Sequence, residues 1–260
     1  MRSKAVVTGS SGFLGRHLVD RLGFCDTVPH QDIQSFDFSQ YESIYFLSAY
    51  GNMAHHDRVD MVVKANVSDI VSVLGSVDKD KLHSLVFIST SSVKRRVQTA
   101  YSRTKRAAEE VLLAYTERFS LPITIIRPLS ITGVGEQKEH LIPSLIRSCL
   151  DGESIPFVPN PSHDFIDVED VVDGIITLSS KQARGIFELG SGMSTTNDEV
   201  RLLVEDATGK KANVTIVDNL RAYDDNKWVS ENFRARGFGW YPKKSLQQSI
   251  TEMVEEYERT

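Results

Sequence analysis

The sequence predicts an α/β protein with a doubly wound parallel sheet. Strand-like and helix-like segments alternate through the first half of the 260-residue chain, which is the pattern of βαβ units. A glycine-rich turn joins the first of these strands to the first helix. The composition is 40% hydrophobic and 25% charged, which is ordinary for a globular chain with a substantial core.

Four strands are predicted in the first half, because short uninterrupted apolar runs occur at residues 5–8, 43–47, 85–89 and 123–127. The segments between these runs carry apolar residues at helical spacing, as at Val62, Ile70 and Leu74. The helices are expected at residues 13–22, 58–74 and 101–119. This succession of strands and helices is typical of a Rossmann-type sheet.

The second half is predicted to form a smaller α/β lobe. Its strands are expected at residues 155–158, 185–189 and 213–217, and its helices at 141–150, 168–179, 198–207 and 246–257. Thr196 with Glu199, and Ser245 with Gln248, are spaced as capping boxes that mark two helix starts. The sequence contains no flexible linker or internal repeat, so we expect the two halves to form one compact unit.

The glycine-rich turn, residues 8–15, reads TGSSGFLG, a spacing that brings a diphosphate against the start of a helix. Gly9 would make the turn, Gly12 would let the phosphates approach, and Gly15 would let the helix pack tightly on the sheet. The residues predicted to bind a dinucleotide here are Gly9, Ser11, Gly12, Phe13, Leu14 and Gly15. A purely structural turn is the alternative.

Charge and cysteine content argue against several classes of protein. The net charge is −5, so neither nucleic acid nor an anionic membrane is expected as a partner. No apolar run reaches about 20 residues and the N-terminus enters a strand directly, so we expect a cytoplasmic protein without a membrane span. Cys25 and Cys149 are far apart and are interpreted as free thiols. The run His55-His56-Asp57 is interpreted as a loop or helix start, so no metal site is expected.

Tyr101 and Lys105 lie four residues apart at the start of a predicted helix, which places the phenol and the ammonium on one face. A free tyrosine has a pKa of about 10, and a neighbouring cation favours the phenolate, so we expect a lowered pKa for Tyr101. The phenol could then exchange a proton with a substrate hydroxyl or carbonyl while a nicotinamide exchanges the hydride. A hydroxyl cluster, residues 89–92, ends the preceding strand at the sheet edge where active groups gather, although it could equally cap a helix.

These motifs resemble those of an extended short-chain dehydrogenase/reductase of the NAD-dependent epimerase/dehydratase family. The resemblance rests on the turn at 8–15, the hydroxyl cluster, Asn66, Tyr101-x-x-x-Lys105, Phe46-Leu47-Ser48-Ala49, Arg127-Pro128, HDFIDVED at 163–170 and FELGSG at 187–192. The resemblance extends over almost the whole sequence. It implies a dinucleotide-binding lobe at residues 1–132, to which 164–190 return, and a substrate-binding lobe at 133–163 and 191–260.

The resemblance implies that Tyr101 is the acid/base and that Lys105 lowers its pKa and binds the nicotinamide ribose. Thr90 would hydrogen-bond the reacting oxygen, with Ser91 as the alternative. The further cofactor-binding residues that it implies are Asp37, Phe38, Leu47, Ser48, Ala49, Lys105 and Pro128. A nucleotide-activated sugar is the implied substrate, and a homodimer packed through helices that include the Tyr101 helix is the implied assembly.

The adenosine side of the predicted cofactor site is unusual. Asp32 lies about 20 positions after the glycine turn, where an acidic residue would bind the adenosine ribose hydroxyls. Since no arginine replaces it, NAD is favoured over NADP as the cofactor. Residues 27–47 leave almost no room for a second strand, a crossover helix and a third strand, so we expect this side of the site to be open.

Two departures from the family pattern narrow the chemistry. Ser91-Ser92 stands where dehydratases of the family carry an acidic pair, and the cysteine of 3,5-epimerases is missing near Ser92. Hydride removal and return at one carbinol carbon, or reduction of a 4-keto sugar, needs neither group. The sequence therefore predicts an NAD(P)-dependent nucleotide-sugar epimerase or reductase, and the alternative is a non-catalytic NAD(P)-binding regulatory protein.

Several charged groups have two interpretations. The Lys-Arg-Arg run at residues 94–96 could meet a diphosphate, but a solvated loop is favoured. The acidic residues within 164–170 are interpreted chiefly as caps of the following helix. Arg221, Arg234 and Arg236 are candidate diphosphate contacts, with a surface role as the alternative.

Overall fold

The computed structural model describes residues 4–52, 56, 58–218 and 228–260. Its strands are β1 (Ala5–Thr8), β2 (Asp26–Val28), β3 (Ser43–Phe46), β4 (Ser84–Ile88), β5 (Ile123–Pro128), β6 (Ser130–Thr132), β7 (Ile155–Phe157), β8 (Ser162–His163), β9 (Phe165–Asp167), β10 (Gly185–Leu189), β11 (Thr195–Thr196) and β12 (Val214–Ile216). Its helices are α1 (Phe13–Leu22), α2 (Val59–Val63), α3 (Asp69–Ser76), α4 (Ala100–Phe119), α5 (Leu141–Asp151), α6 (Val168–Ser180), α7 (Asn197–Thr208), α8 (Phe233–Gly237) and α9 (Leu246–Arg259). A π-helical turn, Lys64–Ser68, joins α2 to α3, and 3₁₀ turns lie at His30–Asp32 and Ser91–Lys94.

Six strands form the central sheet in the order β10-β5-β4-β3-β1-β2. The pairs β1–β2, β1–β3, β3–β4 and β4–β5 are parallel. Every residue of β3 and β4 is buried, which is the environment that favours uninterrupted apolar runs over alternation. The predicted α/β class with a Rossmann-type parallel sheet is confirmed.

The order of the strands reverses at β1. Thr8 faces Val28 of β2 on one side and Phe46 of β3 on the other. Open α/β sheets bind their ligands outside the carboxyl ends of the strands at such a reversal. The glycine turn begins directly after Thr8 and therefore lies at this point of the sheet.

The chain divides into two compact units. The first comprises Met1–Pro128, Val172–Glu188 and Arg234–Trp240, and the second comprises Leu129–Val171, Leu189–Phe233 and Tyr241–Thr260. The segment Arg234–Trp240 thus groups with the central sheet, whereas the sequence predicted it in the second lobe. The ligand that each lobe binds stays a prediction.

The second unit has its own apolar core, built where α5, α7 and α9 meet around Leu145, Val200 and Ile250. Three two-stranded sheets accompany it: β6–β9 and β7–β12, which are parallel, and β8–β11, which is antiparallel. Both predicted capping boxes are present, because Thr196 and Ser245 cap α7 and α9 in reciprocal hydrogen bonds.

The connection from β2 to β3 is as short as the sequence predicts. Residues 29–42, all of which the structure describes, contain one 3₁₀ turn and neither an α-helix nor a further strand. The three residues of β2 therefore form the edge of the sheet. Ile33 and Phe38 of the connection are buried in the main core, so the segment packs on the sheet without regular structure of its own.

A buried carboxylate fastens this connection to α3. Asp69 is fully buried and accepts hydrogen bonds from Gln34 Nε2 at 2.8 Å and Lys64 Nζ at 3.1 Å. His30 Nδ1 lies 3.5 Å from its second oxygen. A charge buried at this depth is tolerated only with such partners, so the contacts fix the short connection against the helix.

Cys25 and Cys149 are free thiols, as predicted. His55 and Asp57 lie outside the described residues; within those residues no group of three or more His, Cys, Asp or Glu side chains is arranged to hold a metal ion. Across the described ranges, each helix falls short of the length and apolar character needed to cross a bilayer.

Candidate active site

The glycine turn has a backbone that side chains would disrupt. Gly9 adopts a φ of +71°, and a Cβ there would lie 2.7 Å from the nitrogen of Ser48. A Cβ on Gly15 would lie 2.1 Å from the carbonyl oxygen of Gly9. Gly12 caps α1 without a side-chain hydrogen bond, so the first amides of the helix are left to a ligand or solvent.

Two of the residues predicted to hold the dinucleotide, Leu47 and Ser48, lie next to this turn at the carboxyl ends of β1 and β3. Leu47 and Ser48 follow β3 and pass against the backbone of Gly9. The Ser48 hydroxyl is buried and, among the described residues, has no hydrogen-bond partner. A glycine cradle beside an unpaired buried hydroxyl fits a polar ligand such as a dinucleotide phosphate or ribose.

The residues predicted for the adenosine half lie in the short β2–β3 connection. Asp32 is exposed at the end of the 3₁₀ turn. Asp37 is exposed and accepts a hydrogen bond from the amide of Ser39 at 2.9 Å, and hydrogen bonding to Ser39 lowers its pKa. The Phe38 side chain is fully buried in the core, so a nucleotide could contact only its backbone.

Tyr101 and Lys105 stand one turn apart at the start of α4, whose N-cap Thr99 accepts a hydrogen bond from the amide of Ser102. Lys105 is 1% exposed, donates from Nζ to the carbonyl oxygen of Ile88 at 2.8 Å, and lies 4.5 Å from the centre of the Phe87 ring. The Lys105 ammonium is therefore hydrogen-bonded to the carboxyl end of β4.

The electrostatics of this pair differ from the expectation. Burial lowers the pKa of Lys105 to about 7, an effect that the negative charge of Glu109 opposes. Burial also raises the pKa of Tyr101 to about 12, where the sequence led us to expect a lowered value. The reason is that the Lys105 ammonium is directed at the Ile88 carbonyl, so desolvation dominates at the phenol.

The hydroxyl cluster after β4 has a structural role as well as a candidate chemical one. Thr90 caps the 3₁₀ turn by accepting from the amide of Ser92 at 3.1 Å, and its hydroxyl lies 2.9 Å from Ser92 Oγ. Thr90 therefore caps a helical turn, which is the alternative role that the sequence allowed for this cluster. Ser91 is buried, whereas Thr90 is partly exposed and could also meet a substrate.

Asn66 links the segment after β3 to the Tyr101 helix. It is fully buried in the π-helical turn, donates to Tyr50 O at 2.8 Å and to Thr104 Oγ1 at 3.0 Å, and accepts from the Tyr50 amide. The next residue, Gly51, passes so close to Tyr101 that a Cβ on it would lie 3.4 Å from the Tyr101 Cβ. The π turn, where the sequence predicted continuous helix, accommodates Asn66, and such turns often mark functional sites.

Two residues that sequence reasoning did not assign to the site complete it. Glu109 lies one turn beyond Lys105 and forms a bidentate ion pair with Arg127 of β5, with distances of 2.9 and 2.5 Å. Glu109 also accepts a hydrogen bond from Ser89 Oγ. The spacing of four residues from Lys105 was the signal in the sequence that could have identified Glu109.

Two of the cationic groups proposed as diphosphate contacts, Lys94 and Arg234, bind other groups of the protein. Lys94 Nζ lies 2.8 Å from Glu188 Oε1, so this residue is not part of a freely solvated loop. Arg234 donates to the carbonyl oxygens of Ile186 and Arg184 and lies over the ring of Phe187. Arg221 lies outside the described residues.

The acidic residues before α6 are only partly helix caps. Asp167 accepts from the amide of Glu169 at 2.8 Å at the helix start, as expected of a cap. Asp164 instead accepts from the amides of Ser191, Gly192 and Ser230, and Asp170 from those of Lys243 and Lys244. The interpretation as caps is therefore wrong for Asp164. Asp170 lies in the first turn of α6, as that interpretation expects, and its carboxylate also holds the loop at Lys243 and Lys244.

Comparison with known proteins places the chain in a family. The sequence model of the NAD dependent epimerase/dehydratase family matches residues 25–190, and the chain belongs to that family. It is 24% identical over 239 residues to the dTDP-D-glucose 4,6-dehydratase of Homo sapiens, a match that covers 86% of this chain and 64% of the human protein. The chain thus spans less than two thirds of the length of this relative.

Solved structures share the fold over nearly the whole chain. The UDP-N-acetylglucosamine 4-epimerase from Methanobrevibacter ruminantium M1, in complex with UDP-N-acetylmuramic acid, superimposes with a TM-score of 0.89 at 18% identity and covers 99% of this chain and 98% of its own. MoeE5 in complex with UDP-glucose and NAD has a TM-score of 0.88 at 21% identity, with 98% and 99% covered. RMD from Pseudomonas aeruginosa, complexed with NADPH, has a TM-score of 0.85 at 20% identity, with 99% of each chain covered. At these identities the likeness establishes the fold.

Proposed function

We propose that the chain is an NAD(P)-dependent oxidoreductase or epimerase acting at a carbinol or keto carbon of a nucleotide-linked sugar. The observation that carries this proposal is the placement of Tyr101 and Lys105 one turn apart on α4, with the Lys105 ammonium bound to the Ile88 carbonyl at the carboxyl end of β4. Thr90 follows the same strand end. An acid/base pair and a hydroxyl are thus gathered at the edge of a parallel sheet where substrates bind.

The nicotinamide, when bound, would take or give the hydride. Gly9, Gly12 and Ser48 would hold the dinucleotide, and Asp32 is the carboxylate proposed for its adenosine ribose, which favours NAD over NADP. Lys105 would hold the ribose next to the nicotinamide. Tyr101 would hold or accept the proton of the reacting oxygen, with Thr90, or alternatively Ser91, hydrogen-bonded to that oxygen.

The protonation states favour one direction of this chemistry at neutral pH. With a pKa of about 12, Tyr101 is a phenol, which is the form that donates a proton to a keto oxygen. Removal of a hydroxyl proton needs the phenolate, and the Lys105 ammonium is the cation that could stabilise it. Ser91 and Ser92, which stand where an elimination would need carboxylates, favour reduction or epimerisation over loss of water.

A nucleotide-binding regulatory protein without turnover is the second candidate. The segment that would hold the adenosine half of a dinucleotide is the short β2–β3 connection. A cofactor site reduced on this side favours a protein that binds the nucleotide without turnover. Retention of the tyrosine, the lysine and the hydroxyls favours the enzyme, because binding alone needs no acid/base.

Incubation with candidate substrates separates the two functions. We expect the purified protein to consume NADH or NADPH with at least one 4-keto UDP- or dTDP-sugar, or to interconvert the 4-epimers of such a sugar without net change in the cofactor. Cofactor absorbance and chromatography of the sugar nucleotides are the measurements. Cofactor binding by calorimetry with no conversion of any sugar would support the regulatory candidate, and absence of cofactor binding would contradict both.

We further propose that the chain forms a homodimer through α2, α3 and α4. Val59, Val63 and Val71 follow one another at four- and eight-residue intervals and are 61%, 43% and 42% exposed, which is high for valine. We expect light scattering to give about twice the chain mass of 29.1 kDa, and Val63→Glu to give the single mass, because it buries a charge in the interface. Val97→Glu, at another exposed valine, is the matched control; a monomeric parent protein would refute the dimer.

A further inference from the structure

An ionic cluster is centred on Glu109, which lies one helical turn after Lys105 on α4. Glu109 is 1% exposed, and its carboxylate accepts three hydrogen bonds, two from the Arg127 guanidinium and one from the Ser89 hydroxyl. The two Glu109 oxygens thus face a guanidinium and a hydroxyl, both of which can donate to them. Although burial alone would lower it, the pKa of Arg127 is raised above its usual value by the hydrogen bonds and charge of Glu109.

Glu109 and Lys105 form hydrogen bonds to adjacent residues at the carboxyl end of β4. Lys105 binds the carbonyl of Ile88, and Glu109 binds the hydroxyl of Ser89, the next residue. Two side chains one turn apart on α4 therefore clamp the helix to the carboxyl end of β4, while Arg127 ties the same helix to β5.

The same carboxylate balances the charge of Lys105. An ammonium that is 1% exposed loses most of its hydration, and the charge of Glu109 opposes the resulting fall in its pKa. Tyr101 lies one turn before Lys105 on α4, and the charges of Glu188 on β10, which is bound to Lys94, and of Glu110 on α4 act on Arg127. Glu109 is the charge that acts on Lys105. Without Glu109, the Lys105 ammonium would lose the negative charge that opposes the desolvation of its side chain.

We propose that Glu109 is a positioning residue that holds the Lys105 side chain, as an ammonium, at the end of β4. The catalytic consequence rests on the function proposed above, since a charged Lys105 is needed there to hold the ribose and to stabilise the Tyr101 phenolate. The placement and charge of Lys105 can be tested without turnover.

The test is the titration of Lys105 in the cofactor-free protein, followed by NMR of ¹³Cε-labelled lysine and assigned with Lys105→Arg. In Glu109→Gln, which keeps the shape and removes the charge, the Lys105 midpoint falls by about one pH unit or more. In Glu110→Gln, the matched control at the adjacent exposed residue, the midpoint stays at the wild-type value. An unchanged midpoint in folded Glu109→Gln overturns the proposal.

Two further measurements cover the other outcomes. Glu109→Asp keeps the charge but withdraws it by one methylene, so its midpoint lies between those of the wild type and Glu109→Gln; if Glu109→Gln does not fold, an unshifted midpoint in Glu109→Asp overturns the proposal. If the enzyme turns over, kcat of Glu109→Gln is lower than that of the wild type at pH values above the wild-type Lys105 midpoint. The loss there is about tenfold for each pH unit by which the midpoint has moved, and kcat recovers below the midpoint of the variant. Simple loss of packing instead lowers kcat at every pH. A shifted midpoint in a protein without turnover contradicts the proposed function and leaves the role of Glu109 intact.

Discussion

Replacing Tyr101 by phenylalanine is expected to remove turnover while leaving cofactor binding in place. The loss should be roughly 10²–10⁴-fold in kcat, which is the usual contribution of a positioned acid/base. The change deletes one oxygen and keeps the ring and the Cβ, which would lie 3.4 Å from a Cβ on Gly51. Steady-state kinetics and calorimetric titration with NADH and NADPH measure the two effects separately.

The control for this substitution is Tyr115→Phe, on the same helix but packed at the margin of the main core. It should retain wild-type kinetics. Because the pKa of Tyr101 is about 12, the phenol stays protonated through neutral pH, and the fall in rate that its deprotonation causes lies at high pH. That fall should be absent from any residual activity of the phenylalanine variant. Normal turnover by Tyr101→Phe would remove this residue from the mechanism.

Alanine substitutions in the glycine turn should separate folding from cofactor binding. The Cβ of Gly15→Ala would lie 2.1 Å from the Gly9 carbonyl oxygen, so the backbone of the turn must move. Overpacking of this kind costs about 1–3 kcal/mol, and we expect the free energy of unfolding to fall by the upper end of that range. Among the described residues, the Cβ of Gly12→Ala meets one atom within 4 Å, the Gly9 carbonyl oxygen at 3.3 Å. This variant should therefore fold and bind the cofactor at least about tenfold more weakly.

Gly75→Ala is the control for both Gly15→Ala and Gly12→Ala. It lies in α3, and no described atom outside the helix backbone lies within 4 Å of the added Cβ. The variant should therefore keep cofactor binding and gain up to about 1 kcal/mol of stability. Denaturant unfolding and cofactor titration are the measurements. A Gly15→Ala protein as stable as the wild type, or wild-type binding by Gly12→Ala, would show that the turn does not act as a tight phosphate cradle.

Local patterns predicted the parts of the fold that depend on local interactions. Buried parallel strands need apolar runs, and the capping boxes at Thr196 and Ser245 satisfy amides within one turn, so both are visible in the sequence. The three-residue strand β2 was not predicted, because its residues take strand form by pairing with β1 rather than by their own composition.

The site was predictable in its residue types but not in its electrostatics. The spacing of Tyr101 and Lys105 gives their shared helix face, but the direction of the Lys105 ammonium depends on a carbonyl that another element supplies. The roles of Glu109 and Asp69 likewise depend on partners 18 and 35 residues away, which no local pattern reveals.

The short β2–β3 connection has a consequence for the behaviour of the protein in concentrated solution. Where a longer connection would add an outermost strand, this sheet stops at β2, whose three residues offer few unpaired amides for edge-to-edge pairing with another molecule. At the opposite margin, Arg234 occupies the carbonyl of Ile186 in β10 and that of Arg184 directly before the strand. The sheet therefore ends without a long edge strand at β2, and this border is a poor template for aggregation.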